Sequence, residues 1–215
     1  MTQLQPDNPF TAEPAGARAL QGGFADPVFD AQAIFHALMM AMAEPASLHD
    51  LRAAIDPPAP LSPLSAALVC TLCDPDTPLW LAPELAADAT VRAWLGFQTG
   101  APLTDVPSAA AFALAGSAAN LPPLASFAQG TDTYPDRSTT ILLSVPDFGS
   151  GPQYVLQGPG IRTQTSLTVD GLPADIVAQW AANHARFPRG VDLVLAGPGR
   201  LAALPRSTRM TIREG

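Results

Sequence analysis

The sequence of 215 residues contains no lysine, so all eleven of its basic residues are arginines. A Schiff base needs a lysine amine, and covalent attachment of pyridoxal phosphate to this chain is therefore excluded. The phosphate loop that ends in Gly-Lys-Ser/Thr also needs a lysine and is excluded with it. We expect no covalently bound cofactor.

Charged residues are scarce as well, since they make up 14% of the chain, and the formal net charge is −8. This charge argues against binding to nucleic acid, which requires a basic surface, and against an anionic membrane surface. The longest apolar candidate for a membrane span, from Ala31 to Ala43, is too short and contains His36. The N-terminus lacks the basic-then-apolar pattern of a signal peptide, so we expect a cytoplasmic protein.

Cysteine is limited to Cys70 and Cys73, which form a C-x-x-C pair. No second pair is present nearby to complete a zinc site. The pair belongs to an apolar run, Ala66 to Leu72, that predicts a buried strand, whereas a redox pair normally lies at a helix N-terminus. We therefore predict two small core residues without redox function.

Motifs for nucleotide binding, acyl transfer and metal binding are also missing. The two Gly-Pro-Gly segments, 158–160 and 197–199, match neither the dinucleotide fingerprint nor the phosphate loop, so we predict plain turns. No G-x-S-x-G elbow is present. Two pairs of acids lack the spacing of a known metal loop, and we predict no metal site at them: Asp74 with Asp76, and Asp132 with Asp136.

The order of helical and strand patterns predicts a loose arm over residues 1–22 and one α/β domain over residues 23–215. Asp26 as N-cap and Pro27 at the first helical position predict a helix that ends at Glu44. Further helices are predicted over 83–97 and 174–187. Strands are predicted over 62–73, 109–114, 138–145, 154–156, 165–169, 191–195 and 208–213. The expected fold is a mixed β-sheet flanked by helices.

The first predicted helix is more apolar than one packed face requires. Phe29, Ile34 and Leu38 follow the helical period, while Phe35 and Met39 widen the apolar stripe. We expect this helix to be buried between the sheet and another surface.

The arginines are concentrated near the C-terminus, since six of the eleven fall in the last thirty residues. Arg189 and Arg206 flank the apolar strand VDLVL, and with Arg162 they could converge on a phosphate-like anion or a partner's carboxylates. The alternative is an internal salt bridge. We favour it for Asp192, because an acid that opens a buried strand needs a partner, and we leave it open for Arg206.

His184 is a further candidate contact, because Arg186, Arg189 and Asp192 follow it closely in the chain. A lone histidine on a helix is more often a surface or interface residue than a catalytic one. We name His184 with Arg189 and Arg206 as the candidate contacts of an anion or a partner, and no catalytic residue is identified.

Seven segments in order carry a family resemblance, which extends from about Gly23 to the C-terminus. They are FADPVFDAQAIFHALMMAM (24–42), DPDTPLWL (74–81), TGAPL (99–103), PDRSTTILLSV (135–145), L-x-GPGI (156–161), FPRGVDLVL (187–195) and LPRST (204–208). On these segments the chain resembles the PhnH subunit of the bacterial carbon–phosphorus lyase system. It departs from the expected pattern at three positions, where Arg, Gly and His would be typical: His36, Ala46 and Gln98.

The resemblance implies a fold similar to the large domain of pyridoxal-phosphate transferases, without the cofactor. It also implies a homodimer-forming subunit of a core complex with PhnG, PhnI and PhnJ. That assembly converts ATP and an alkylphosphonate to a ribose-1-phosphonate-5-triphosphate and releases adenine, so ATP enters as a substrate of the complex.

Three hypotheses follow from the sequence. The first is a complex subunit whose contribution is structural or positions an anion. The second is a separate enzyme that binds a nucleotide or phosphonate through Arg189 and Arg206. The third is a non-catalytic dimeric scaffold.

Overall fold

The structure is a computed structural model that describes residues 20–213, and the predicted N-terminal arm lies outside them up to residue 19. The described residues form five α-helices: α1 Pro27–Ala43, α2 Pro63–Leu72, α3 Pro83–Ala86, α4 Ala89–Thr99 and α5 Ile176–His184. Three short 3-10 helices cover Pro107–Ala109, Ala118–Asn120 and Leu124–Ser126.

Ten strands are present in the same part of the chain. They are β1 His49–Asp50, β2 Leu79–Leu81, β3 Leu103–Thr104, β4 Phe112–Ala115, β5 Thr140–Ser144, β6 Phe148–Gln157, β7 Thr165–Val169, β8 Asp192–Gly197, β9 Arg200–Leu204 and β10 Arg209–Ile212. Seven of them form one sheet in the order β1-β9-β8-β5-β4-β2-β3, and three form an antiparallel sheet in the order β10-β6-β7. The predicted α/β class with a mixed sheet is confirmed.

The large sheet has five adjacent parallel strands, from β8 to β3, and an antiparallel β9 beside them. Successive residues of β5 and β8 alternate between two apolar cores. Leu142 and Val194 face the core that contains α1, α2 and α4, while Ile141 and Leu193 face the core that contains α5 and the small sheet. Because both faces are covered, the inner residues of these two strands, 141–143 and 193–196, are all apolar.

The start of α1 agrees with its predicted cap. The Asp26 side chain accepts a hydrogen bond from the Phe29 amide, and Pro27 occupies the first turn. Ile34 and Leu38 are buried, as predicted, but Phe29 is 69% exposed, contrary to the predicted packing. The buried face of α1, which packs against β9 and α2, is centred on Ile34, Leu38 and Ala41 and leaves Phe29 outside.

The strand predicted over 62–73 is wrong, because these residues form helix α2. An apolar run without period cannot separate a buried helix from a buried strand. The deciding signal is local: Ser62 caps the Ser65 amide, and Pro63 follows at the first helical position. The helix predicted over 83–97 is also divided in two, because Asp88 caps the amides of Thr90 and Val91 and starts α4.

Ala46 has a left-handed backbone with φ of 68°. A side chain is disfavoured in this region, and glycine adopts it freely. The position is the one at which the family pattern led us to expect glycine. The structure thus gives the physical reason for that expectation.

None of the helices in residues 20–213 combines the length and the apolar character that a membrane-spanning helix needs.

Candidate functional site

Three of the segments that carry the resemblance meet at the amino end of β8. The Arg206 side chain from LPRST donates to both carboxylate oxygens of Asp192 from VDLVL. It also donates to the Ser138 hydroxyl and, over 2.7 Å, to the Pro135 carbonyl, both from PDRST. We call these four residues the Arg206 cluster.

The Arg206 cluster leaves little of the guanidinium free. Four of its five N–H groups have acceptors within the protein, and the Arg206 backbone amide donates to Asp192 over 2.7 Å. The side chains of Arg206 and Asp192 are 14% and 12% exposed. The internal salt bridge that we favoured for Asp192 is therefore present. For Arg206 we left open a contact with an anion or partner and an internal salt bridge, and the structure shows the internal salt bridge.

Arg189 and Arg162 do not join the Arg206 cluster. Arg189 forms an ion pair with Asp132 over 3.2 Å, and both side chains are largely exposed. Arg162 is exposed and has no ion pair or side-chain hydrogen bond with the described residues. The predicted convergence of three arginines on one anion is not supported by this arrangement.

His184 lies beside the cluster, at the C-terminal end of α5. The Arg209 Nε–H donates to His184 Nε2 over 3.1 Å, so the ring carries its proton on Nδ1. His184 Nδ1 then donates to the Arg206 carbonyl over 3.2 Å. The imidazole is thus held between two groups of the C-terminal segment.

A cavity of about 370 Å³ opens at this histidine. Its walls come from Gln157–Pro159, His184, Phe187, Ser207 and Arg209. Since both ring nitrogens of His184 already have protein partners, the histidine is a poor candidate for a proton-transfer group here. Arg209 was missed at the sequence level. The signal that could have identified it is its position, because Arg209 is the first residue of strand β10 and directly follows the segment LPRST.

Both Gly-Pro-Gly segments are turns, as predicted. Residues 158–160 lie between β6 and β7, and Gly197–Gly199 joins β8 to β9. At Gly158, a Cβ would lie 3.0 Å from the Ser207 carbonyl oxygen, which explains the absence of a side chain there. This turn therefore packs directly on the segment that carries Arg206.

Cys70 and Cys73 lie at the C-terminal end of α2 rather than at a helix N-terminus. Cys73 is buried, Cys70 packs against the same apolar core, and burial raises the pKa of each thiol to about 12. The prediction that they are core residues is confirmed, although the element is a helix and not the predicted strand.

We expect both thiols to react with iodoacetamide at pH 8 roughly 10²–10³-fold more slowly in the folded chain than in the unfolded chain, because only the thiolate attacks. Mass spectrometry of the alkylated protein, with and without urea, measures the ratio. Equal rates in the two states would contradict the burial of the pair.

The described residues contain no group of three or more His, Cys, Asp and Glu side chains that could hold a metal ion. In the first of the acid pairs named above, the Asp74 carboxylate accepts from the Asp76 amide over 3.0 Å, and in the second Asp132 forms the ion pair with Arg189. That this chain functions without binding a metal ion stays a prediction.

An exposed apolar stripe runs along α1. Val28, Phe35 and Met39 are 72%, 49% and 51% exposed, and their spacing places them on one side of the helix, beside its buried face. We call these three residues the α1 stripe. The prediction that α1 packs against the sheet is confirmed. The second surface that we expected to cover α1 is not formed by the described residues.

Comparison with known proteins gives a consistent set of similarities. The family model "Bacterial phosphonate metabolism protein (PhnH)" matches residues 22–211. A protein of Rhizobium meliloti (strain 1021), named alpha-D-ribose 1-methylphosphonate 5-triphosphate synthase subunit PhnH, is 42% identical over 196 residues, which cover 91% of this chain and 98% of that protein. A protein of Stutzerimonas stutzeri, named "Putative C-P lyase subunit protein HtxG", is 37% identical over 79 residues, which cover 37% of this chain and 40% of that protein.

Proposed function

The chain belongs to the PhnH family of bacterial phosphonate metabolism proteins, and from this premise we propose that it is a subunit of an α-D-ribose 1-methylphosphonate 5-triphosphate synthase. The observation that carries the proposal is the 42% identity to a subunit of that name over nearly the whole of both chains. The complex forms the triphosphate from ATP and a phosphonate, on the route to cleavage of the carbon–phosphorus bond.

The contribution of this chain is assembly rather than chemistry of its own. The Arg206 cluster joins three of the segments that carry the family resemblance through an internal ion pair and hydrogen bonds. His184 has a protein partner at each of its two ring nitrogens. Neither arrangement presents a free acid–base group to a substrate. These contacts support the subunit hypothesis over the stand-alone enzyme that would use Arg189 and Arg206.

The partners are proposed to be the PhnG, PhnI and PhnJ subunits and a second copy of this chain. The α1 stripe supports a protein partner, because exposed aromatic and methionine side chains are enriched where subunits meet. We assign the α1 stripe to contact with the other subunits of the complex. The cytoplasmic location of the protein stays a prediction.

The likeness to the large domain of pyridoxal-phosphate transferases also stays a proposal, supported by the seven-stranded sheet with five adjacent parallel strands. The residues do not fit the cofactor itself, because the sequence has no lysine for a Schiff base. We therefore assign no step to it.

Reconstitution tests the proposed function. A mixture of PhnG, PhnI and PhnJ from the same organism is incubated with ATP and methylphosphonate, with and without this chain, and adenine and the triphosphate are quantified. We expect product only, or at a much higher rate, when this chain is present. An equal rate without the chain would contradict its role as a synthase subunit.

A further inference from the structure

A second cavity lies at the other end of β8 from the Arg206 cluster. It has a volume of about 410 Å³, and its walls come from four segments: Leu51–Ala53, Ser62–Leu64, 144–145 and 196–199. Residues 144 and 196–197 are the carboxyl ends of the parallel strands β5 and β8. Ligands of open α/β sheets bind outside this edge. We call this space the carboxyl-edge cavity.

Among the described residues, Arg52 is the only charged one in the wall of the carboxyl-edge cavity. Its guanidinium has no ion pair or hydrogen bond with the described residues. The arginine next to the cavity, Arg200, is instead paired with Asp147. Arg52 is exposed, and an arginine without a protein acceptor at the mouth of a cavity whose described wall has no carboxylate is suited to an anionic ligand.

The polar part of the wall also supplies a hydrogen-bond donor. The Ser62 hydroxyl donates to the fully buried Ser65 hydroxyl over 2.9 Å, and Ser65 Oγ lies 2.8 Å from Ser144 Oγ. Since Ser65 accepts from Ser62, its own hydrogen is free to be donated to Ser144. The hydrogen of Ser144 then has no acceptor among the described residues, and Ser144 lines the cavity.

The rest of the wall is apolar, and its larger side chains are Leu51, Leu64, Val145 and Pro198. The cavity is larger than an inorganic oxyanion requires, so an apolar substituent could occupy the remaining space. Among the described residues no histidine, acid or thiol lines it, so the serine hydroxyls of the wall have no base beside them that would make them nucleophiles. These features describe a binding site.

We propose that the carboxyl-edge cavity binds a small phosphonate or phosphate monoester, with its oxyanion at Arg52 and Ser144 and its organic group against the apolar wall. The proposal deepens the proposed function and rests on it for the identity of the natural ligand, an alkylphosphonate. The positive end of α2, which begins at Pro63 in the same wall, adds to the attraction.

Calorimetric titration of the purified chain with methylphosphonate and ethylphosphonate tests the site. We expect saturable binding that Arg52→Gln weakens at least ~10-fold, because a charge-assisted hydrogen bond is lost. Ser144→Ala should weaken it about 2–10-fold through loss of a neutral hydrogen bond. Arg162→Gln is the matched control, since it removes the same charge from an exposed arginine outside the cavity and should leave the affinity unchanged.

Three outcomes would overturn the proposal: no binding by the folded wild-type chain, an unchanged affinity in Arg52→Gln, or an equal loss in Arg52→Gln and Arg162→Gln. Circular dichroism of each variant confirms that it is folded. Co-purification of the wild-type chain with the other subunits separates this site from the proposed function. If the wild-type chain assembles but binds no phosphonate, the cavity assignment fails while the subunit role stands. If it binds phosphonate but does not assemble, the subunit role fails while the cavity assignment stands.

Discussion

Replacement of Arg206 by alanine is expected to lower the free energy of unfolding by about 3–5 kcal/mol. The change removes a guanidinium that ties Asp192, Ser138 and the Pro135 carbonyl together, in a place where the two charged side chains are only 14% and 12% exposed. It leaves the Asp192 carboxylate without its counterion, and an isolated charge in a buried site is costly. Urea denaturation followed by circular dichroism measures the loss.

Arg189→Ala is the matched control for this measurement. It breaks an ion pair whose side chains are 46% and 79% exposed, so the expected loss is at most about 1 kcal/mol. Asp192→Asn should resemble Arg206→Ala, because it removes the other charge of the same pair. Equal and small losses in all three variants would show that the Arg206 cluster does not hold the fold.

The size of this effect bears on the interpretation of activity data. A typical domain is stable by about 5–15 kcal/mol, so Arg206→Ala could remove a large share of the total. Loss of function in that variant would then reflect unfolding. Arg206 should not be assigned to substrate binding on activity alone.

The second large effect is expected at the α1 stripe. The double change Phe35→Asp and Met39→Asp should weaken assembly with the other subunits by at least ~100-fold, because exposed aromatic anchors supply much of the energy of an interface. Both side chains are about half exposed in the isolated chain, so its fold should be retained. Pull-down with a tagged partner subunit over a concentration series measures the change.

Val106→Asp is the control for the stripe. Val106 is 54% exposed and precedes the 3-10 helix Pro107–Ala109, away from α1 in the chain. It introduces one negative charge, where the double variant introduces two, on a similarly exposed apolar residue and should leave assembly unchanged. Full assembly of the Phe35/Met39 variant would remove the α1 stripe from the interface.

Much of the fold was predictable where local signals and burial agree. Asp26 and Pro27 placed the start of α1, and the apolar residues of VDLVL indicated a buried strand. The error at α2 has a physical cause, since ten mostly apolar residues suit a buried helix and a buried strand equally. Only the cap at Ser62 separates the two.

The functional surfaces were less accessible to sequence reasoning. The need of Asp192 for a partner was predictable from its position, but its choice of Arg206 depends on how PDRST and LPRST meet in space. The carboxyl-edge cavity is assembled from four segments that span residues 51 to 199, and no local pattern joins them. Such a site emerges only from the strand order of the sheet.

The native mass of the assembled complex tests the central claim most directly. This chain, carrying an affinity tag, is co-expressed with PhnG, PhnI and PhnJ, purified through the tag, and measured by size-exclusion chromatography with light scattering. The proposed subunit role predicts one species that contains all four chains in fixed ratio. Elution of this chain by itself, with the other three assembled in a separate peak, would contradict it.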